Sequence, residues 1–286
     1  MARIDLHAHS TASDGGDTPA ELVRAAARAG LDVVALTDHD TVAGYQEAGA
    51  ALPPGLMLVP GAEISCAWQG TSVHLLGYLF DPAEPEFAAE RDRIRSDRVR
   101  RAERMVELLG ELGAPVRWER VAELAAGGSV GRPHVAAAMV EAGVVPDLPA
   151  AFTTEWIGAT GRAYVRKYAL DPVRAVQLVR AAGGVAVLAH PQPEEREYRL
   201  PDALIAELAA GGLTGVEVDH PDHSADTRAH LRGLARELGL AVTGSSDYHG
   251  DVKTTRLGEN LTAVAEYERL LAAATGARPV EASRTA

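Results

Sequence analysis

Residues 3–40 read RIDLHAHSTASDGGDTPAELVRAAARAGLDVVALTDHD. The stretch opens on an apolar strand pattern at 3–7 and closes on another at 33–37. Between them, Thr18-Pro19-Ala20-Glu21 has the marks of a helix start. Thr is the cap, Pro takes the first helical position and Glu closes a capping box. The helix it opens ends near Gly30. Strand, helix and strand in that order read as one βα unit with parallel strands.

The alternation continues along the chain. Apolar runs at 57–64, 73–80, 185–189, 215–218 and 241–244 are rich in Val, Ile and Leu. Most are apolar at both parities, as in parallel strands buried on both faces. Helical patterns lie at about 41–51, 171–182, 201–210 and 225–238. This argues for an α/β fold of βα units around a parallel sheet or barrel.

Residues 85–164 break the rhythm. They show helical patterns at 91–112, 118–126 and 132–141 and no strand pattern. The expectation is a helical insert domain at 85–164 within a barrel domain of 1–84 and 165–286. Seven arginines between Arg91 and Arg104 alternate with Asp92, Asp97 and Glu103. A solvated helix face with internal ion pairs is preferred there over an anion-binding patch. The small, polar tail after Ala272 is expected to fray.

The 286 residues are 47% hydrophobic and carry a formal net charge of -12. An acidic surface repels polyanions, so no stable DNA binding is expected. A small phosphorylated substrate held by metal ions is compatible with it, because bound cations invert the local field. The single cysteine, Cys66, excludes an internal disulfide and a thiolate-rich zinc site. No segment approaches the roughly 20 apolar residues of a membrane span. The first residues lack the apolar stretch of a signal peptide, and a cytoplasmic protein is expected.

Chemistry-bearing residues stand where the strand patterns end. His7 and His9 close the first. Two strand residues at i and i+2 point the same way and can grip one ion. Asp14 follows in the loop Asp14-Gly15-Gly16, and His39 ends the second strand in Thr37-Asp38-His39-Asp40. Glu63 ends the third in Gly61-Ala62-Glu63, and His190 ends a later one in Ala189-His190-Pro191. Asp247 and His249 follow the last in Ser245-Ser246-Asp247-Tyr248-His249. In barrels of parallel strands, active sites are built on that rim. His74 differs, because it sits inside its strand pattern. Either that strand begins later, or it runs differently from its neighbours.

Each motif alone is weak, and a lone His-x-His is more often structural. Six histidines and three carboxylates together are another matter. Burying so many ionisable groups without partners or a metal is costly. The expectation is two or three divalent ions held by His7, His9, Asp14, His39, Glu63, His74, His190, Asp247 and His249, with a carboxylate bridging a pair. Nitrogen and oxygen donors without thiolate suit Mn²⁺, Zn²⁺ or Fe. Ions about 4 Å apart clamp phosphoryl oxygens and activate a bridging water as hydroxide. The hydroxide attacks phosphorus in line, and no protein nucleophile is needed. Ser10, Ser65 and Cys66 lie near ligands without a base arrangement and read as packing or supporting residues.

Two further histidines, His220 and His223, follow the run at 215–218. A surface loop and a proton donor to the leaving alkoxide are both open readings there. Asp40 is expected to cap the next helix, and Asp38 to orient a ligand.

As a set, His7-Ala8-His9-Ser10, Thr37-Asp38-His39-Asp40, Gly61-Ala62-Glu63-Ile64-Ser65, His74, Ala189-His190-Pro191 and Gly244-Ser245-Ser246-Asp247-Tyr248-His249-Gly250 resemble the signature of the PHP superfamily, named for polymerase and histidinol phosphatase. The resemblance runs from residue 3 to about 250. It implies a distorted (β/α)7 TIM-like barrel with a trinuclear metal site. One ion would take His7, His9, Glu63 and Asp247. A second would share Glu63 and take His74 and His190. A third would take Asp14, His39 and His249.

Within the superfamily the chain is most similar to the metal-dependent phosphoesterase branch, which has Gly-Arg-Pro-His in its insert. The counterpart here is Ser129-Val130-Gly131-Arg132-Pro133-His134-Val135. The resemblance implies a phosphoric ester hydrolase that removes phosphate from nucleotides, either nucleoside 5′-monophosphates or 3′,5′-bisphosphates. Its alternatives are a 5′–3′ exoribonuclease on short 5′-phosphorylated RNA and a histidinol-phosphate phosphatase. A non-catalytic metal-binding accessory module is a third. The same resemblance makes Arg132 and His134 candidates for the substrate phosphate, since a guanidinium binds phosphate through two parallel hydrogen bonds. A plain helix start is the competing reading. Lys167 is a further candidate of that kind.

Overall fold

In the computed structural model, described over residues 2–125, 130–194 and 199–282, the chain begins as the sequence predicts. Strand β1 (Ile4–Asp5) leads to helix α1 (Pro19–Arg28) and strand β2 (Val33–Leu36). The Thr18 hydroxyl accepts from the Glu21 N–H at 3.2 Å, and the Glu21 carboxylate accepts from the Thr18 N–H at 2.9 Å. Such a cap contributes about 0.5–2 kcal/mol. Helix α2 (Tyr45–Ala50) is shorter than expected.

The next two strands, β3 (Met57–Trp68) and β4 (Thr71–Tyr78), form a hairpin. The sequence reading ended the first of them at residue 64 and missed the turn. Gln69 and Gly70 both have positive φ, at 48° and 86°. Two such residues make the mirror-image turn whose twist suits a tight hairpin. β4 is therefore antiparallel to β3, and it is antiparallel to β5 as well.

Helix α3 (Pro85–Glu111) is followed by α4 (Trp118–Leu124), α5 (Arg132–Glu141) and the single turn α6 (Leu148–Ala151). Ala126, at the end of one expected helix, and Ser129, in the insert motif, lie outside the described residues. The rest of the chain supplies α7 (Pro172–Ala181), β5 (Val185–Leu188), α8 (Asp202–Ala210), β6 (Gly215–Asp219), α9 (Ala225–Leu238), β7 (Ala241–Gly244), α10 (Val264–Ala273) and β8 (Val280–Glu281). Tyr267 and Leu270 of α10 are buried. In the tail after Ala272, expected to fray, Val280 and Glu281 instead form β8, which pairs antiparallel with Met57 and Leu58 of β3.

The strand order is β1-β2-β3-β4-β5-β6-β7. All neighbours are parallel except the two pairs that involve β4. Contacts between the segments that follow β1 and β7 nearly close the barrel. Ala8 and Tyr248 form a parallel bridge, and the Asp5 carboxylate accepts from Ser246 N–H at 3.0 Å and Gly258 N–H at 2.8 Å. The structure is thus an α/β, distorted seven-stranded TIM-like barrel.

Two compact units make up the chain, Met1–Arg91 with Ala169–Ala286, and Asp92–Tyr168. In the first, alternate strand residues such as Val33, Ala35, Val59, Leu76, Val185 and Val187 share one buried cluster. The opposite parity, including Val34, Leu36 and Leu58, packs with Leu22 and Val23 of α1. Each fully buried side chain of this kind stabilises by about 1.5–3 kcal/mol. The second unit has its own core, with Met105, Leu109, Val121, Val135 and Met139. No described helix is long and apolar enough to cross a membrane.

Candidate metal centre

Strand parity carries the expected ligands inward. On β2, the face of Val33 and Ala35 continues through Thr37 to His39. On β3, the face of Val59 continues to Glu63. A parallel bridge joins His39 to Glu63, and the Glu63 N–H donates to Thr37 O at 3.0 Å. On antiparallel β4, Leu76 lies opposite Glu63, and His74 follows on the same face. The reversal answers the open question about His74. The beginning of an antiparallel strand reaches the rim where parallel neighbours end.

Two of the expected ligands need special backbone. His190 has φ 24° and Asp247 has φ 51°, left-handed conformations that only a well-braced loop maintains in non-glycine residues. Gly15 is needed for a different reason. A Cβ there would stand 2.4 Å from the His9 carbonyl oxygen.

The nine expected ligands converge, with Glu63 at the centre. Its Oε1 lies 2.7 Å from His74 Nδ1 and 3.1 Å from His190 Nε2. Its Oε2 lies 3.3 Å from His7 Nε2, 3.1 Å from His9 Nε2 and 3.2 Å from His39 Nδ1. Asp247 Oδ1 is 3.4 Å from His7 Nε2 and 3.5 Å from both His9 Nε2 and His249 Nδ1. Asp14 completes the group, 3.5 Å from His9 Nδ1 and His249 Nε2 and 3.6 Å from His39 Nε2.

Mutual charge sets the protonation of the cluster. Burial acts to raise Glu63, but His39, His74 and His7 outweigh it and hold its carboxyl well below the ordinary value. Asp247 is held low in the same way, against burial, by His7, His220 and His9. Burial acts to lower His7, but Glu63, Glu217 and Asp247 raise it well above the ordinary value. His9 is raised to about 9 against burial by Asp247 and Glu63. Burial prevails at His39 and His249, lowered to about 3 and about 4. The pocket is a set of anionic oxygens and ring nitrogens that compete for positive charge.

Comparison with known proteins identifies the family. The PHP domain model matches residues 5–96. Over 263 residues the chain is 36% identical to a 5′-3′ exoribonuclease of Haemophilus influenzae, spanning 92% of this chain and 95% of that protein. The chain belongs to the PHP domain family. It is also 37% identical over 257 residues to a 3′,5′-nucleoside bisphosphate phosphatase of Chromobacterium violaceum, spanning 87% of this chain and 88% of that one. A solved structure described as a proposed metal-dependent phosphoesterase from Bifidobacterium adolescentis superposes with a TM-score of 0.85 at 34% identity, covering 95% and 96% of the two chains.

The donors of this PHP site fit divalent ions. Trios such as His7, His9 and Glu63, or His39, Glu63 and His74, offer ligand atoms within 4.8 Å of one another. Donors bound about 2.1 Å from one ion stand about 3.0–3.4 Å apart, close to the spacings around Glu63. The two oxygens of Glu63 face two different sets of histidines, His74 and His190 on one and His7, His9 and His39 on the other.

Two supporting residues of the PHP site, Glu217 and Lys253, escaped the sequence reading. Glu217 is fully buried in β6 and accepts from His7 Nδ1 at 3.2 Å. Its signal was a carboxylate inside the apolar run Gly-Val-Glu-Val. Lys253 donates to Asp247 Oδ2 at 2.6 Å, and nothing local in the sequence marks it. Asp38 braces the first ligand loop by accepting from Ser10 N–H, Ser10 Oγ and Ser13 Oγ at 2.8, 2.6 and 2.7 Å. Asp40 is not the expected helix cap. Its carboxylate accepts from Ser65 N–H at 2.7 Å and Ser65 Oγ at 2.8 Å, and α2 has no side-chain cap.

The two later histidines separate. His223 Nδ1 donates to Val218 O at 2.9 Å, and its Nε2 accepts from Gln192 N–H at 3.4 Å. Both nitrogens are engaged away from the ligands. His220 Nδ1 accepts from the Asp222 N–H at 3.1 Å, which leaves the ring proton on Nε2. That nitrogen lies 3.7 Å from Asp247 Oδ2 and 3.9 Å from Glu217 Oε2.

Arg132, His134 and Lys167 belong to the second unit. The Arg132 guanidinium lies 5.6 Å from the Phe152 ring centre and 5.7 Å from that of Tyr164, where Arg101 also approaches at 5.5 Å. His134 Nδ1 accepts from the Gly131 N–H at 3.0 Å, at the start of α5.

Proposed function

We propose that this chain is a metal-dependent phosphoesterase that removes phosphate from small phosphorylated nucleotides, nucleoside 5′-monophosphates or 3′,5′-bisphosphates. The observation that carries the reading is the convergence of five histidines, His7, His9, His39, His74 and His190, on the two oxygens of Glu63, with Asp14, Asp247 and His249 against the same rings. The same donors support two or three ions of Mn²⁺, Zn²⁺ or Fe, in the partition given above. The Chromobacterium violaceum relative is named for a nucleoside bisphosphate. A cytoplasmic location belongs to the same proposal.

Ions held there supply positive charge to phosphoryl oxygens and lower the pKa of water. The rest falls to the protein. His7, His9, Asp14, His39, Glu63, His74, His190, Asp247 and His249 are the ligand set. His220, with its proton on Nε2 beside Asp247, is placed to donate a hydrogen bond to the leaving ribose oxygen, which takes its proton from water. Losing one such donor to a developing oxyanion typically costs about 10²–10³-fold, the loss expected in His220→Asn. The loss should shrink with a p-nitrophenyl ester, whose leaving group needs no proton. Arg132 and His134, with Lys167, are the candidates for binding the substrate phosphate. Arg132→Ala should raise KM, and an unchanged KM removes it from the binding site.

A second reading is favoured by the Haemophilus influenzae relative, named as a 5′-3′ exoribonuclease. The pairing of Arg101 and Arg132 with Tyr164 offers cation and ring together, a combination that suits RNA. One experiment decides between the readings. Phosphate or nucleotide release is followed with Mn²⁺ and with chelator, from nucleoside 5′-monophosphates, 3′,5′-bisphosphates, histidinol phosphate and a short 5′-phosphorylated RNA. Metal-dependent phosphate release from mononucleotides supports the proposal. Processive release of nucleotides from RNA alone moves the chain to the second reading. Silence across the panel from a metal-loaded protein overturns both.

A further inference from the structure

Glu217 stands in the middle of β6, and the ligand set does not use it. Three donors meet its two oxygens. His7 Nδ1 reaches Oε1 at 3.2 Å, and the Ser245 hydroxyl donates to the same oxygen. The backbone N–H of His190 donates to Oε2 at 2.8 Å. His7 and His190 face different oxygens of Glu63, so one carboxylate reaches ligands on both halves of the cluster.

The trio His7, Glu217 and His220 has the spacing of an additional ion site. Its chemistry argues otherwise. The Asp222 N–H is a donor in every protonation state, so His220 Nδ1 must accept from it. The proton of neutral His220 then occupies Nε2, the atom an ion would need. His7 cannot offer Nδ1 either without losing its bond to Glu217. Glu217 is placed to hold protons and peptides, not a metal.

We propose that Glu217 is the positioning residue of the metal centre. It fixes the His7 ring with the proton on Nδ1 and the lone pair of Nε2 toward the ligands. It also secures the His190 peptide, whose φ of 24° needs an outside partner. A carboxylate on the far nitrogen of a ligating imidazole locks its tautomer and raises its basicity, and losing such a partner typically weakens metal binding 10–100-fold.

The inference rests on the metal-centre reading, and the test separates the two. Mn²⁺ is titrated calorimetrically into chelator-treated wild-type chain and into Glu217→Gln, which keeps the shape but turns an amide group toward one of the donors. The far-UV circular dichroism of the variant should match the wild type, and its Mn²⁺ affinity should fall about 10–100-fold. Wild-type affinity in folded Glu217→Gln overturns the positioning role alone. A wild type that binds no divalent ion overturns the metal-centre reading with it. Should the variant not fold, ¹⁵N spectra of zinc-loaded wild type decide. A proton on His7 Nδ1 supports the proposal, and a proton on His7 Nε2 overturns it.

Discussion

His74 Nδ1 lies 2.7 Å from Glu63 Oε1, although the two residues stand on antiparallel strands. Glu63 is paired with Leu76, and side chains two apart on a strand share a face, so the register brings His74 to Glu63. His74→Ala should remove one of the two rings on Oε1. Metal per chain, measured by mass spectrometry after dialysis, should fall, and turnover should drop by more than the roughly 10–100-fold of a lost supporting partner. Unchanged metal content would falsify the ligand role.

Asp40 combines a left-handed backbone, φ 56°, with two bonds to Ser65 on the strand that carries Glu63. Asp40→Ala strips the buried Ser65 N–H of its acceptor, at about 1–3 kcal/mol. The left-handed conformation adds about 1–2 kcal/mol for alanine. Asn keeps an acceptor and tolerates that conformation, so Asp40→Asn should cost much less. Thermal unfolding checks the order; equal losses would remove the account.

Gly15 has no room for a methyl group against the His9 carbonyl. Gly15→Ala should displace the loop between His9 and Asp14 and weaken Mn²⁺ binding without unfolding the barrel. Calorimetric titration is the measurement. Unaltered affinity would mean that the loop absorbs the methyl elsewhere.

His223 predicts a pH dependence. Burial, joined by the nearby His220, lowers its pKa below the ordinary 6.5, although its bond to Val218 O opposes the shift. The unfolded chain therefore binds a proton that the folded chain refuses. Stability from this group is present above about pH 6.5 and is lost as pH falls below it. Replacing it in His223→Gln removes that slope, so the gap in Tm between wild type and variant should narrow from pH 7 to pH 5. A constant gap sinks the assignment.

Much of this protein was legible in its sequence because the signals are local. A cap and a capping box announce α1, and apolar runs at both parities announce buried parallel strands. Ligands at strand ends follow from a period of two, which needs no knowledge of the partner strand. Other features depend on distant partners. The Gln69-Gly70 turn reverses β4 and explains His74, but Gln-Gly is not a strong turn signal. Asp40 looked like a cap because a carboxylate before a helix usually is one, yet the Ser65 N–H claimed it from another strand. Glu217 acquires its role from His7, 210 residues away along the chain, whereas Lys253 meets Asp247 only six residues away, through the fold of the loop between them. The sequence by itself determined which residue types gather at the rim and the barrel that presents them. Only the tertiary structure decided how the two oxygens of Glu63 divide the histidines and which of His220 and His223 keeps a proton facing the ligands. Hydrogen-bond partners are chosen in three dimensions, and a donor takes the acceptor that folding places within about 3 Å of it.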